Sequence, residues 1–261
     1  MQKFGVCNLS IVPIRAESSD KSEILSQLLF GDHFEILESL EKWIRIRTVY
    51  DVYEGWIDKK QFLPLAEEEF NLTKDAGNVL GLEVFHPVIN ETTGHRLFLV
   101  SGSSIPEVEG GVFKLGPQTF RVQGAVQRPD SADFHAKVID YAKFFLNAPY
   151  LWGGKTMFGM DCSGLTQVVF KLFGVRCLRD AWQQAGQGEL VAFLPEVLPG
   201  DLAFFDNEEG RIVHVGIMIN SSTIIHASGK VRIDSIDDQG IYNAEMKRYT
   251  HKLRIIKRFI S

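Results

Sequence analysis

The stretch GMDCSGLTQVVFKLFG, residues 159–174, decides how the second half of the chain is read. Leu165, Val168, Val169, Leu172 and Phe173 recur at helical spacing, and Gly174 supplies a stop. Cys162 therefore stands where a helix begins, at the positive end of its macrodipole and beside N–H groups with no intrahelical partner. Both effects favour the thiolate, the nucleophilic form. A free cysteine is more often a small buried hydrophobe. Cys7 and Cys177 keep that reading, whereas Asp161, Ser163 and Gly164 make an inert core less comfortable around Cys162.

Upstream, Phe134, Val138, Tyr141, Ala142 and Phe145 form another helical pattern, with Asp130 or Ser131 as caps and Pro149 as its close. Downstream, strand patterns run over 201–205, 213–219, 223–227 and 253–260. Helix, helix and then strands predict an α+β domain rather than an alternating βαβ one. His214 lies in the apolar run Ile212–Met218 and His226 in Thr223–Ser228, with Asn220-Ser221-Ser222 as the turn between them. A hairpin there brings two imidazoles together on adjacent strands. A thiolate nucleophile needs a base, and the base needs an orienter. A lone strand histidine is more often a satisfied core residue, and His33, His86, His95, His135 and His251 have no such context. Cys162, His214 and His226 could instead ligate zinc, but a structural site wants a fourth ligand and no CxxC or HxxxH spacing exists. No metal and no cofactor is expected.

The first 65 residues are β-rich over 6–14, 28–37, 43–49 and 55–57, with turn residues such as Gly31-Asp32 and Asp51, which predicts a small barrel. A polar stretch over 66–77, with Glu67, Glu68 and Glu69 in a row, reads as a solvated linker or helix face. Strand signals resume over 79–84, 96–100, 112–115 and 119–126, suggesting a second small β-domain. The expected division is thus 1–68, 69–128 and 129–261. A length of 261 residues agrees with more than one domain, at roughly 150 residues each.

Composition narrows the function classes. The 28 basic and 33 acidic residues give a net charge of −5, too little positive field for a general nucleic-acid binder. Apolar residues at 45% and charged residues at 23% describe a globular chain with enough core to stand without staples. Three cysteines cannot all pair, so no disulfide framework is expected. No apolar run reaches the 18 residues of a membrane span, and the N-terminal MQKFGVCNLS lacks the apolar core of a secretory signal. The expectation is a protein of the cytoplasm, with no membrane partner.

Six blocks, in order, carry a resemblance: Tyr150-Leu151-Trp152-Gly153-Gly154, Asp161-Cys162-Ser163-Gly164-Leu165, Leu178-Arg179-Asp180-Ala181 with Gln184, Pro199-Gly200-Asp201-Leu202, His214-Val215-Gly216-Ile217 and His226-Ala227. Residues 132–261 thereby resemble the NlpC/P60 cysteine peptidases. With small β-barrels in front, the chain is similar to the members bearing bacterial SH3 domains, the γ-D-glutamyl-L-diamino acid endopeptidases that recycle murein peptides. The resemblance implies a papain-like α+β catalytic domain behind SH3-like barrels. In it Cys162 is the nucleophile, His214 the base, His226 its orienter, and Tyr150 stands beside an oxyanion site made by the Cys162 N–H. The implied substrate is a murein-derived peptide, cut between D-Glu and meso-diaminopimelate or L-Lys.

The resemblance also gives Asp180 the free N-terminal ammonium of that peptide, with Tyr53 closing the same pocket, and leaves Glu17 or Glu23 open as a further acidic partner. Trp152, Asp161 and Ser163 line the pocket. Plainer roles stand beside these: helix capping for Asp180, strand packing for Tyr53 and core packing for Trp152. Ala181 stands where many relatives carry serine, and Val213 where some carry a second histidine. Two further readings are an endopeptidase bound to intact cell wall and a non-catalytic SH3-like binding protein.

Overall fold

Every β-sheet of the first unit is antiparallel, and its cores explain why the β-rich stretches fold as they do. The computed structural model describes residues 2–75, 77–124 and 126–260. Ala76 and Ala125, which fall inside two of the expected segments, lie outside the described residues. The chain divides into two compact units, Met1–Pro129 and Asp130–Ser261.

The first unit starts with seven strands: β1 (Phe4–Val6), β2 (Ile11–Arg15), β3 (Ile24–Leu29), β4 (His33–Ser39), β5 (Trp43–Thr48), β6 (Glu54–Asp58) and β7 (Leu63–Leu65). They order as β3-β2-β6-β5-β4-β1-β7. Alternate residues point inward, so Val12, Ile14, Ile44, Ile46 and Ile57 join Cys7, Leu28 and Phe34 in one core. The expected strand over 28–37 breaks at Gly31-Asp32. Gly31 has φ 80°, and a Cβ there would collide with the Ser104 carbonyl oxygen. Ser104 in turn donates its N–H to Phe30.

The polar stretch after β7 is partly helical, as α1 (Glu67–Thr73). It is followed by β8 (Asn78–Leu80), β9 (His86–Asn90), β10 (Arg96–Leu99), β11 (Ser104–Ile105), β12 (Val112–Leu115), β13 (Gln118–Val122) and β14 (Val126–Gln127). These make a four-stranded sheet, β10-β9-β13-β12, and a three-stranded one, β11-β8-β14. One core runs through both parts of the unit: Val6, Phe30 and Leu65 pack with Phe70, Leu80, Val88, Phe113 and Phe120. The Phe30 ring meets Phe113 and Phe120 edge-on at 5.9 and 5.3 Å.

The second unit opens with α2 (Phe134–Phe144). Its N-cap position is Asp133 rather than Asp130 or Ser131, because those two residues are spent on the preceding turn. The Asp130 carboxylate accepts from the Ala132 N–H, and the Ser131 carbonyl from the Phe134 N–H. The helix ends before Pro149, where Asn147 takes a left-handed φ of 67°. A short hairpin, β15 (Lys155–Thr156) with β16 (Gly159–Met160), leads into α3 (Cys162–Lys171), in which every residue is buried. Phe134 of α2 wedges edge-on against Phe170 and Phe173 at its end.

After α4 (Ala181–Ala185) come β17 (Glu189–Val191), β18 (Leu202–Asp206), β19 (Ile212–Asn220), β20 (Thr223–Ser228), β21 (Lys230–Ile236), β22 (Gly240–Asn243) and β23 (Arg248–Arg258). They order as β17-β23-β18-β19-β20-β21-β22, and β23 also pairs with β22. That second pairing closes six strands into a ring around Ala203, Phe205, Met218, Ile224, Ile236, Ile241 and Ile256. Helix α3 packs on β19 and β20, so the start of a buried helix faces the two histidine strands.

Candidate active site

Asp161 is the N-cap of α3, and its Oδ1 accepts the Gly164 N–H at 2.6 Å. Cys162 is thereby fixed as the first helical residue. The turn is locked from the other side by 151–154: Gly153 donates its N–H to Asp161 Oδ2 at 2.8 Å, and Asp161 its own N–H to the Gly154 carbonyl at 3.1 Å. Gly164 packs so closely on that carbonyl that any Cβ would strike it. The Tyr-Leu-Trp-Gly-Gly and Asp-Cys-Ser-Gly blocks are thus two halves of one contact.

Beneath the turn lies Arg179, 1% exposed. Its Nη2 donates to Asp161 Oδ2 at 2.6 Å, and its Nη1 to Asp161 Oδ1 at 3.1 Å and Ser163 Oγ at 2.9 Å. Gln184, fully buried on α4, donates to the Ser163 carbonyl at 3.1 Å and the Leu178 carbonyl at 2.8 Å, and accepts from Thr166 Oγ1 at 2.7 Å. Asp180 caps α4 in a capping box with Gln183, whose side chain accepts the Asp180 N–H at 2.9 Å.

The backbone N–H groups of Val215 and Ser163 lie near enough to the Cys162 sulfur to favour its thiolate, which puts the sulfur against the residue after His214. In the β19–β20 register Gly216 faces His226, so His214 and His226 are diagonal neighbours on one side of the sheet. His214 Nε2 lies 2.8 Å from His226 Nδ1. His226 Nε2 lies 3.0 Å from Asp234 Oδ2, and Arg232 grips that carboxylate with Nε at 2.7 Å and Nη2 at 2.9 Å. His251 completes the group: its ring stacks on His214 at 4.1 Å between centroids.

Tyr150 is held by its N–H to the Gly229 carbonyl at 3.0 Å and by a bridge to Met160. Its phenol lies within electrostatic reach of Cys162, Asp161 and Arg179. Trp152 is 59% exposed, so it belongs to the surface rather than the core. Asp161 and Ser163 are buried and committed to the turn. Tyr53 lies in the first unit after Val52, which takes a left-handed φ of 57°; its N–H donates to Thr48 Oγ1 at 2.8 Å.

The electrostatics correct one sequence expectation. Burial pushes the Cys162 thiol up to about 12, and the Asp161 carboxylate adds to the rise; Val215, Arg179 and Ser163 pull the other way and lose. The helix terminus therefore does not hold a standing thiolate. Burial likewise drives His214 well below 6.5, with His226 and His251 adding to it, and lowers His251 to about 4. Both shifts favour a neutral thiol beside a neutral imidazole. Burial also raises the Tyr150 phenol, which stays a donor. The Asp234 carboxyl is pushed up by burial, but hydrogen bonds from His226 and Arg232 outweigh this and hold it below 3.8.

Ring nitrogens of His214, His226 and His251 come within 4.8 Å of one another, close enough for a metal in principle. The geometry is unsuited to one. His214 and His226 spend their facing nitrogens on each other, and the rings of His214 and His251 stack at an interplanar angle of 27°, so their in-plane lone pairs do not converge.

The sequence reading missed Arg179, Asp234 and His251. The signal for Asp234 was present in Lys230–Ile236, where Arg232 and Asp234 alternate with Val231 and Ile233 beside the second histidine strand.

Residues 147–251 match the NlpC/P60 family, and residues 14–62 match the bacterial dipeptidyl-peptidase SH3 domain. The chain is 28% identical over 251 residues to dipeptidyl-peptidase 6 of Lysinibacillus sphaericus, spanning 86% of this chain and 88% of that one. It is 29% identical over 222 residues to the γ-D-glutamyl-L-lysine dipeptidyl-peptidase of Bacillus subtilis, spanning 78% and 72%. The fold is that of an NlpC/P60 family protein from Bacillus cereus, with a TM-score of 0.81 at 18% identity over 99% of this chain and 100% of that one. An NlpC/P60 endopeptidase from Photobacterium damselae subsp. piscicida superposes with a TM-score of 0.72 at 17% identity, over 97% and 70%.

Proposed function

We propose that this chain, a cysteine peptidase with an NlpC/P60 domain behind a bacterial dipeptidyl-peptidase SH3 domain, hydrolyses the γ-D-glutamyl-L-diamino acid bond of murein stem peptides that carry a free N-terminal L-Ala. The observation that carries the reading is the placement of Cys162, at the head of a buried helix, against the strand of a His214–His226 pair. The relatives in Lysinibacillus and Bacillus, which align through both units and are named dipeptidyl-peptidases, support the substrate class.

Chemistry follows from the protonation states. His214 Nε2 is engaged with His226, which leaves Nδ1 for the thiol. As sulfur attacks the γ-carbonyl of D-Glu, its proton passes to that nitrogen, and the C–S bond forms as the carbonyl becomes an oxyanion. The Cys162 N–H, outside the helical ladder as first helical residue, and the Tyr150 hydroxyl are the donors proposed for it. The imidazolium then protonates the leaving amine of the diamino acid, and the C–N bond breaks. Water, deprotonated by His214, cleaves the thioester and releases L-Ala-D-Glu.

The amine-reading part of the proposal rests on Asp180 at the head of α4, with the exposed Trp152 as a further substrate contact. It predicts that the enzyme cuts L-Ala-γ-D-Glu-L-Lys or its diaminopimelate counterpart and spares the N-acetylated twin. Mass spectrometry of both mixtures decides. Equal cleavage of free and acetylated peptides would refute the role of Asp180 and favour an endopeptidase on intact wall. The proposal extends to recycling of free peptides in the cytoplasm, which cell fractionation tests: enzyme recovered with the wall would contradict it. Among the described residues no helix is long and apolar enough to cross a membrane.

A further inference from the structure

The geometry points to Asp234 as the positioning residue that sets the tautomers of both histidines and so decides which nitrogen of His214 meets the thiol. The inference rests on the cysteine-peptidase reading of the site but not on the identity of the peptide.

A hydrogen-bonded chain runs from Asp234 through His226 to His214. A carboxylate can only accept. Asp234 is 7% exposed, and Arg232 anchors both its oxygens with two donors, Nε on Oδ2 and Nη2 on Oδ1. Neither Arg232 group can accept in return, so the acid stays ionised. His226 Nε2, 3.0 Å from Oδ2, must therefore carry a hydrogen and donate. In a neutral ring the other nitrogen then has the lone pair, so His226 Nδ1 accepts. His214 Nε2, 2.8 Å away, has to donate to it, which leaves the His214 lone pair on Nδ1. Each step follows from the one before, and the chain begins at Asp234.

The other groups around His226 do not set its tautomer. His251, on β23, meets its ring edge-on at 5.5 Å between centroids, and its own Nδ1 is 2.9 Å from Thr250 Oγ1. Glu245 reaches Arg232, at 3.3 Å. Asp234 itself sits diagonally across the β20–β21 register, where Ile224 is its direct partner and His226 lies two residues on, on the same face. It touches no reacting atom in this scheme and acts through His226.

Replacement by asparagine tests the logic at constant size. A carboxamide has one acceptor where Arg232 presents two donors, so its NH2 must face either Arg232 or His226. Facing His226, it would turn Nε2 into an acceptor and move the His214 lone pair to Nε2, away from the thiol. Asp234→Ala removes the restraint altogether.

The experiment reads ring nitrogens by long-range 1H–15N correlation in histidine-labelled protein at pH 8, alongside kcat and KM. Wild-type protein is expected to show lone-pair-bearing Nδ1 and protonated Nε2 in both His214 and His226. Asp234→Asn and Asp234→Ala are expected to mix or reverse that pattern and to lower kcat on the order of 10²-fold, with KM changed less than about 3-fold. Wild-type protein with the opposite tautomers would overturn the assignment, as would variants that keep the wild-type pattern whatever their rate. An altered pattern with unchanged kcat would overturn the catalytic part. If Asp234→Ala does not fold, Asp234→Asn gives the decision. The spectra require no turnover, so failure of the substrate proposal is seen separately.

Discussion

Arg179 and Asp161 form a buried ion pair directly beneath the nucleophile: Nη2 to Oδ2 is 2.6 Å, with the two side chains 1% and 8% exposed. The same carboxylate caps α3 and receives the Gly153 N–H, so one charge pair ties together the glycine loop, the helix head and the segment before α4. Removing one partner of such a pair strands the other charge in a low-dielectric setting. Arg179→Met is expected to cost about 3 to 5 kcal/mol by denaturant unfolding. A loss below about 1 kcal/mol, the value of an exposed pair, would show the pair to be dispensable.

Gly164 predicts a steric result of a different kind. A methyl group there meets the Gly154 carbonyl, which is backbone and cannot swing aside. Gly164→Ala should destabilise the protein by about 1 to 3 kcal/mol and lower turnover, because the loop and helix head can no longer close on each other. Gly210, where a Cβ meets nothing nearby but φ is 76°, serves as a contrast. Gly210→Ala should leave turnover intact. Wild-type activity in Gly164→Ala would contradict the close-packed turn.

Thiol chemistry gives a third test. With Cys162 raised to about 12 by burial and by Asp161, and His214 kept neutral, alkylation by iodoacetamide should keep accelerating as pH rises from 7 to 9. A preformed thiolate–imidazolium pair would instead give a rate that is already flat across that range. A plateau would contradict the neutral resting pair.

Acid sensitivity tests the histidine cluster. Burial lowers His214 and His251 in the folded protein, so below pH 6.5 the unfolded chain takes up protons that the fold refuses. Their contribution is fully present above 6.5 and is lost as pH falls. For His251 the window runs from 6.5 to about 4, and the loss is at most about 3 kcal/mol. Asp234, held below 3.8 chiefly by His226 and Arg232 against its burial, adds a loss only at lower pH. His251→Gln should flatten the decline of unfolding free energy between pH 7 and 4.5. An unchanged slope would contradict a neutral His251 in the fold.

Local chemistry made the nucleophile and its helix legible: a stop glycine and an apolar stripe act within sixteen residues, while the capping role of Asp161 emerges only in the fold. The two histidines were legible because their strands are apolar and joined by a short polar turn. His251 was not, because the last strand was expected to start at Leu253, whereas β23 begins at Arg248. Its first half, Arg248 to Lys252, is mostly polar, exposed or half-buried, and hides the period-2 signal. Asp234 was missed with its whole strand: no strand was expected between 227 and 253, although charged and apolar residues alternate along β21. The shared core of Val6, Phe30 and Phe120 was out of reach for another reason: contacts so far apart in sequence leave no periodic trace. The thiol pKa was misjudged because a helix terminus is visible in sequence, while burial is a property of the fold.

The central claim is that the Cys162 sulfur, deprotonated by His214, performs the cleavage. It is tested most directly by mixing wild-type protein and Cys162→Ala with L-Ala-γ-D-Glu-L-Lys and its diaminopimelate counterpart, and following L-Ala-D-Glu by mass spectrometry. Wild-type protein should release the dipeptide from at least one of them, while a Cys162→Ala variant with an unchanged unfolding midpoint should release none. Release by that variant at the wild-type rate, or two untouched peptides with folded, reduced wild-type protein, would contradict the account.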